Sequence, residues 1–518
     1  MKTLSIFSSI IILIFIMQPV MAQPGSLDES FGNAGIVITP YSSSNEFGQQ
    51  VAVQTDNKIV LAGHVETNNI RDFAVVRYNT DGSMDNSFGN GGLVIFDGGT
   101  DADMAAAMII QDDGKILIGG SVSHPSTTWD DYAMARFNAD GTPDNTFGTG
   151  GLVTTDINGE WDNAFDMAIQ DDGKILLAGE AYTGGKRNVG IVRYNSDGSC
   201  DCSFGSGGFA ILSIGSIIDR TRAIALQADG KILAGGWMND GLDDQLFLTR
   251  FNSDGSTDNT FGNNGIATLD IGAKDDKCWD IKVLTDGKIL VGGQSGTSGN
   301  FNYLLVRYLP DGTLDDTFGS NGIAVTNVGN SDYVSEMFIQ ADGKILTAGS
   351  AFTFELIRFL ETGYPDPGFG NNGVVNTSIG SGSSYSQTLC MQADGKIIVA
   401  GFSKDGTDRD FSLARYHSEA GGYIDEQSTI FDHINVYPNP VLSANNINLE
   451  YTLKEDEVLS IELLSINGKL LEVLSEKQNS KAGPHKESYK LPGHLSAGIY
   501  FMRLTSSQGS AVVRLEVL

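Results

Sequence analysis

The sequence predicts an all-β protein, a seven-bladed β-propeller of four-stranded blades followed by a small immunoglobulin-like β-sandwich. Two observations carry this prediction: three short markers recur seven times each at a spacing near 57 residues, and the stretches between them resemble short strands separated by turns. The markers are Phe-Gly-x-x-Gly, with its phenylalanine at 31, 88, 147, 204, 261, 318 and 369; Lys-Ile, with its lysine at 58, 115, 174, 231, 288, 344 and 396; and Arg-Tyr or Arg-Phe, with its arginine at 77, 136, 193, 250, 307, 358 and 415.

The first repeat shows the strands of one blade. We predict strands over 50–54, 58–63, 73–79 and 92–96, because each stretch is apolar or alternating and is bounded by turn residues such as Asp-Gly. An open β-solenoid is the alternative, but its turns are usually shorter. We interpret the repeated phenylalanines as blade packing and the repeated arginines as partners of turn carboxylates or carbonyls.

The two ends of the repeat region predict how the ring closes. A strand over 35–39 has no inner strands before it, and three strands near 389–416 have no outer strand after them. Placing the first beside the last completes blade seven and pairs both exposed edges. The N-terminal strand is therefore expected to close the propeller.

The repeats resemble the delta-60 repeat family, which carries tandem Asp-Gly-Lys-Ile and Asp-x-x-Phe-Gly units. The resemblance covers about residues 25–420 and implies a fold more than an activity. Blade six departs from the pattern at Glu361-Thr-Gly-Tyr-Pro-Asp and after Gly349, which makes its outer edge the least regular. The propeller domain is predicted over 25–418 and a linker over 419–433.

The N-terminus has the pattern of an export signal. A basic start, an apolar run from Ile6 to Val20 and the small residue Ala22 predict a signal peptide over 1–22, with an uncleaved anchor as the alternative. The later sequence contains no apolar run of spanning length, so no membrane span is expected after signal removal.

The C-terminal segment 434–518 predicts a β-sandwich. Strands flank Asn467-Gly468, and a strand from Gly498 is predicted to pair with 511–518. The Tyr-Pro-Asn-Pro start and the Leu495-Ser-Ala-Gly-Ile-Tyr segment are similar to a type A sorting domain of the type IX secretion system. This resemblance implies handling by that machinery, and a place outside the outer membrane of a Gram-negative bacterium. The alternative is an accessory sandwich that binds a partner itself.

Charge and cysteine content exclude some functions. The net charge of −31 disfavours nucleic acid as a partner, and four cysteines do not form a disulfide framework. Cys200 and Cys202 lie in one turn, and the sequence does not decide whether they are paired. A monomeric propeller is expected.

Topology predicts that one face carries the variable loops. The second-to-third and outer-to-inner connections lie there, and loops of this kind on a rigid scaffold commonly bind ligands. We expect four tryptophans on this face as ligand-binding residues, with local loop packing as the alternative. They are Trp129, Trp161, Trp237 and Trp279.

An acidic residue stands twelve residues before six of the seven marker lysines. We expect these positions to ring the mouth of the central channel, where they would either hold calcium or cap turns through backbone amides; near-perfect repetition favours the caps. No other cofactor is expected. The positions are Glu46, Asp103, Asp162, Asp219, Asp276 and Asp332, with Ser384 in the seventh repeat.

The leading functional prediction is a secreted or surface-exposed binding propeller with a glycan or protein ligand. Recognised enzyme motifs are missing from the sequence, but a glycosidase needs only two suitably spaced carboxylates. The alternative is therefore a polysaccharide-acting enzyme, and a purely structural surface module is third. The candidate carboxylates are Glu160, Asp162, Asp166, Asp275, Asp276 and Asp280.

Overall fold

A computed structural model describes residues 23–41, 44–99, 102–123, 129–215, 217–239, 241–272, 275–297, 299–329, 332–349 and 352–418 of the first unit, and 431–437, 441, 445–465, 470–493, 495, 498–506 and 510–517 of the second. The chain divides into two compact units, 1–420 and 421–518. The predicted signal peptide, 1–22, and residues 419–430 of the predicted linker lie outside the described residues.

The first unit is a seven-bladed propeller of antiparallel four-stranded blades, as predicted. The innermost strands are β2 (Asn45–Val53), β6 (Ala102–Ile110), β10 (Asp162–Ile169), β14 (Ile218–Leu226), β18 (Asp275–Val283), β22 (Glu336–Ile339) and β26 (Ser384–Met391). The second strands are β3 (Ile59–Thr67), β7 (Ile116–Ser123), β11 (Ile175–Thr183), β15 (Ile232–Asn239), β19 (Ile289–Thr297), β23 (Ile345–Ala348) and β27 (Ile397–Asp405).

The third and outer strands complete each blade. The third strands are β4 (Ile70–Tyr78), β8 (Asp130–Phe137), β12 (Lys186–Tyr194), β16 (Asp244–Phe251), β20 (Asn300–Tyr308), β24 (Phe354–Phe359) and β28 (Asp408–Tyr416). The outer strands are β1 (Ile36–Thr39), β5 (Leu93–Phe96), β9 (Leu152–Thr155), β13 (Phe209–Leu212), β17 (Ile266–Leu269), β21 (Ile323–Thr326) and β25 (Val374–Thr377). Blade six keeps a regular outer strand, because β25 pairs β24 from Phe354↔Thr377 to Ile357↔Val374.

Ring closure follows the predicted scheme. The N-terminal strand β1 pairs antiparallel with β28, from Ile36↔Ala414 to Thr39↔Phe411, and becomes the outer strand of blade seven. The innermost strands contact one another in cyclic order, with β2 against both β6 and β26. Apolar side chains from adjacent blades form shared clusters, so burial between blades stabilises the ring.

The arginine and phenylalanine markers meet in one buried motif in every blade. The marker arginine donates from Nε to an aspartate at 2.7–2.9 Å, which belongs to the following turn in six blades and is Asp28 of the N-terminal segment for Arg415; the guanidinium carbon lies 4.4–4.6 Å from the centroid of the marker phenylalanine ring. All seven phenylalanines are fully buried. The interpretation of these residues as scaffold is confirmed.

The second unit has two antiparallel sheets around its own apolar core. One sheet has the order β29-β30-β33 and the other β32-β31-β34-β35, and β34 pairs β35 as predicted from Gly498↔Val517. Strand β29 begins at Phe431, three residues inside the predicted linker, and the Asn467-Gly468 turn lies outside the described residues. The strands are β29 (Phe431–Tyr437), β30 (Asn446–Leu453), β31 (Glu457–Ser465), β32 (Leu470–Ser480), β33 (Gly483–Lys490), β34 (Gly498–Thr505) and β35 (Ser510–Val517).

Candidate binding face

The two faces of the propeller differ in the apolar side chains that they expose. We call the side formed by the second-to-third and outer-to-inner connections the variable face, and the side formed by the Lys-Ile hairpins and Phe-Gly turns the hairpin face. Among the described residues of the propeller, Tyr364 is the one large hydrophobic side chain that is exposed in a hairpin-face turn. It is 57% exposed. The large hydrophobic side chains exposed in variable-face loops are Tyr41, Trp129, Trp161, Ile217, Leu242 and Phe352, and Ile70, the first residue of β4, is exposed on the same side.

The four predicted tryptophans form two pairs. Trp129 and Trp161 precede β8 and β10, lie 5.2 Å apart between ring centroids, and are 36% and 41% exposed. Trp237 and Trp279 also lie 5.2 Å apart, but they stand within β15 and β18 instead of in loops. Trp237 is 5% exposed, so its indole is part of the packed structure and cannot offer a flat exposed surface. The expectation that all four bind a ligand on the variable face stays a prediction; the first pair lies in loops of that face, whereas Trp237 and Trp279 lie within strands.

The six acidic positions are buried instead of lining the mouth of the channel. Each is at most 3% exposed, and each carboxylate accepts hydrogen bonds from amides of the preceding turn, as expected of a cap. The donors are Tyr41 N for Glu46 (3.4 Å), Gly98 N for Asp103 (2.5 Å), Ile157 N for Asp162 (2.8 Å), Ile214 N and Gly215 N for Asp219 (2.7 and 2.6 Å), Ile271 N for Asp276 (2.5 Å), and Val328 N and Gly329 N for Asp332 (2.9 and 2.8 Å).

Two of these caps have further carboxylates nearby. Asp103 lies with Asp72 and Asp97, and Asp162 lies with Asp131 and Asp156; in each group the carboxylate oxygens can be within 4.8 Å of one another. Burial, together with the charges of Asp156 and Asp131, raises the pKa of Asp162 to about 6. Each group lies between adjacent blades, so a single calcium-binding ring is not the arrangement observed. Calcium binding stays a prediction.

Asp219→Ala is expected to destabilise the propeller by about 1–3 kcal/mol, because two buried turn amides lose their acceptor. Asp219→Asn keeps one acceptor oxygen and is expected to lose less. Urea denaturation measures both, and Asp219→Ala should leave any calcium response of the Tm unchanged, because Asp219 lies outside both groups of neighbouring carboxylates. A calcium-induced rise in Tm that Asp219→Ala abolishes would contradict the capping role.

The carboxylates proposed for an enzyme are mostly bound to backbone. Asp166 Oδ2 accepts from Ile224 N at 2.8 Å, and Asp280 Oδ2 accepts from Met337 N at 2.7 Å. Both bonds join neighbouring innermost strands, which is a structural role. Asp162 and Asp276 cap turns, as described above, whereas Glu160 and Asp275 are half-buried. The enzyme alternative stays a prediction.

The sequence analysis missed a group of basic side chains on blades three to five. Trp237 has three cationic groups within 6 Å of its ring centroid, from Arg220 (5.9 Å), Arg222 (5.1 Å) and Lys277 (5.2 Å). These residues stand on innermost strands, at two positions where all five other repeats carry neutral residues. That local reversal of charge in an acidic chain is the signal that could have revealed them.

Two family profiles match the chain. A domain of unknown function described as the DUF5122 β-propeller matches residues 54–88, 111–147, 170–204, 227–261, 284–318, 340–369 and 392–419. A secretion system C-terminal sorting domain matches 435–517. No curated protein matches the sequence. Among the described residues, no helix is long and apolar enough to cross a membrane.

Several solved structures are similar at low identity. PorZ of Porphyromonas gingivalis, a bacterial surface component of the type IX secretion system, has 11% identity and a TM-score of 0.39, covering 91% of this chain and 59% of that chain. A virginiamycin B lyase from Staphylococcus aureus has 12% identity and a TM-score of 0.39, covering 73% and 98%. The β-propeller domain of the trilobed protease from Pyrococcus furiosus has 10% identity and a TM-score of 0.36, covering 74% and 99%. Similarity at this level does not indicate a shared activity.

Proposed function

We propose that this chain, a DUF5122 β-propeller protein with a secretion system C-terminal sorting domain, is a binding module whose variable face takes a glycan or protein ligand. The sorting domain indicates secretion by the type IX system to the cell surface or the extracellular space. The observation that carries the binding proposal is the unequal exposure of large apolar side chains on the two faces. Exposed apolar patches on soluble proteins commonly mark interaction sites.

The pair formed by Trp129 and Trp161 is the strongest single feature of that face. The two exposed indoles come from different blades and meet at 70° between ring planes, so each presents a different surface to a ligand. Indole rings combine a large contact area with a fixed shape, which suits the apolar face of a sugar ring or a protein anchor. A glycan is the preferred ligand class, with a protein as the second.

A glycan array with the full-length secreted protein tests this proposal. We expect Trp129→Ala combined with Trp161→Ala to weaken binding at least about tenfold, because stacking area in the centre of an interface carries most of its affinity. Tyr364→Ala, on the hairpin face, is the matched control and should bind as the unmodified protein does. Binding that is indifferent to the tryptophans, or equally sensitive to Tyr364, would contradict the proposed face.

A further inference from the structure

Three arginines surround a single buried carboxylate between blades three and four, and a lysine of blade five lies against the same tryptophan ring as two of them. We call Arg187, Arg220, Arg222 and Lys277 the basic cluster. They stand out because the chain holds 33 basic and 64 acidic residues, so most of its surface is negative. Two of them lie on β14, one on β12 and one on β18.

The charges of the cluster do not balance. Glu180, which is 2% exposed, has Arg187 Nη1 at 3.2 Å from one carboxylate oxygen, and Arg222 Nη2 at 3.6 Å and Arg220 Nε at 4.0 Å from the other. One carboxylate thus serves three guanidinium groups, which leaves two positive charges over. Lys277 has its own partners in Asp244, at 2.8 Å, and Asp275, at 3.9 Å, so the four basic groups and their three carboxylates leave one positive charge over.

One N–H group of Arg222, at Nε, has no hydrogen-bond acceptor among the described residues. Its side chain is 13% exposed, and within the described part of the chain its Nε makes no hydrogen bond. Buried polar donors are normally satisfied, and one that is left unpaired destabilises the folded state. The Nε atom is itself buried, and Glu180 Oε1 nearby also makes no hydrogen bond among the described residues, so an anionic ligand would act on the surplus charge through the more exposed groups of the cluster.

Aromatic rings hold this guanidinium in place. Its central carbon lies 3.5 Å from the ring centroid of Phe165, 5.1 Å from Trp237 and 5.6 Å from Trp279. Phe165, Arg222 and Trp279 occupy the same bulged position in three adjacent innermost strands. Since bulges redirect side chains at functional positions, the three meet beside the central channel.

The aromatic wall continues around the channel beyond the basic cluster. Trp279 lies 5.9 Å from Tyr333, which precedes β22, and Tyr385 stacks on Phe402 at 4.9 Å between ring centroids. Side chains of this kind stack on sugar rings, whereas guanidinium and ammonium groups bind carboxylates. Arg220 is the most open member of the cluster, with its side chain 33% exposed.

We infer that the basic cluster is a subsite for one acidic sugar residue, whose carboxylate contacts Arg220, Arg222 and Lys277 while the sugar ring packs against Trp279. This inference deepens the proposed function and rests on it. The ligand is a largely neutral glycan with a single acidic residue, because the net charge of −31 repels a polyanion such as a nucleic acid or a heavily sulfated chain. A salt-dependent affinity is expected.

Calorimetry with two matched tetrasaccharides tests the subsite. One is neutral glucose throughout and the other has a terminal glucuronate; we expect the folded full-length protein to bind the second at least about tenfold more tightly. Arg220→Met and Arg222→Met should each remove that preference. Arg71→Met, which removes a positive charge from blade one, is the control and should retain it. If Arg222→Met fails to fold, the more exposed Arg220→Met still decides the outcome.

The outcomes separate this inference from the proposed function. Equal binding of both tetrasaccharides, or an unchanged preference in Arg220→Met, overturns the subsite and leaves a neutral glycan as ligand of the face. If neither tetrasaccharide binds, glucuronate alone is titrated against indole fluorescence. A change that Trp279→Phe and Arg220→Met both remove supports the subsite even if the array finds no glycan; no change overturns it.

Discussion

Arg415→Ala is expected to lower the free energy of unfolding by about 3–5 kcal/mol, because it breaks a buried ion pair at the closure of the ring. Arg415 and Asp28 are 4% and 3% exposed, and their Nε–Oδ2 distance is 2.7 Å. Arg415 also donates to Thr80 O at 2.5 Å, and its guanidinium lies 4.5 Å from the Phe31 ring centroid. One side chain therefore joins the N-terminal segment, blade seven and blade one.

Urea denaturation of Arg415→Ala and Arg307→Ala compares the stability that the ring closure contributes with the stability that an ordinary blade junction contributes. Arg307 makes the same contact with Asp315 at 2.7 Å, but it is more exposed and its motif stays within consecutive blades. We expect a loss of about 1–2 kcal/mol for this control, since Arg307 is itself more exposed than Arg415 and its ion pair is more weakly held. Equal losses in both variants would show that the closure is no more critical than any other blade junction.

The propeller is expected to lose at least about 3 kcal/mol of stability between pH 5 and pH 8. Burial raises the pKa of Glu46 to about 8, with a further contribution from Asp410, and it raises the pKa of Asp166 and Glu355 to about 7. A carboxyl with a raised pKa holds its proton in the folded state but not in the unfolded state. Its stabilisation is complete below the unfolded pKa near 4 and is lost as the pH rises through the folded value.

Glu46→Gln should remove part of this pH dependence, about 1–2 kcal/mol, because glutamine keeps the neutral form at every pH. Glu29→Gln, at an exposed position, is the control and should follow the unmodified protein. Denaturant unfolding at pH 5, 6, 7 and 8 measures all three proteins. Parallel curves for Glu46→Gln and the unmodified protein would contradict the role given to Glu46.

The aspartates paired with the marker arginines, such as Asp85, are expected to make the propeller less stable as the pH falls. Burial alone would raise the pKa of Asp85, but hydrogen bonds from Ser87 and Lys58 and the charge of Arg77 lower it below its usual range. A carboxylate of this kind stabilises the fold above the unfolded pKa, and its contribution is lost as the pH falls. Maximum stability is therefore expected at about pH 5, between the two effects.

The features that recur in every repeat are the part of this fold that could be predicted from the sequence. Phe31, Asp28 and Arg415 come from opposite ends of the propeller, yet their closure followed from markers that also occur inside single repeats. The start of the innermost strand was predicted at residue 50, whereas β2 begins at Asn45. A bulge between Gly48 and Gln50 interrupts the alternation of side chains, so the pattern ahead of it was read as a loop.

That missed strand start explains the placement of Trp279 and of five of the acidic caps. These residues stand within or at the start of innermost strands, which places them among packed side chains instead of in loops, whereas Asp332 precedes β22 and Trp237 lies in the second strand β15. The basic cluster was unpredictable for another reason: Glu180 and Arg222 lie 42 positions apart and meet only because neighbouring blades pack together. Sequence spacing does not reveal contacts between blades unless every repeat shares them.

The most direct test of the variable face as the binding surface is a crystal structure of the secreted protein soaked with mixed neutral and glucuronate-terminated oligosaccharides. The account predicts saccharide density against Trp129 and Trp161 in the loops of the variable face, or beside the central channel against Trp279 with a carboxylate at the basic cluster. Density bound instead against the Lys-Ile hairpins and Tyr364 of the opposite face would contradict it.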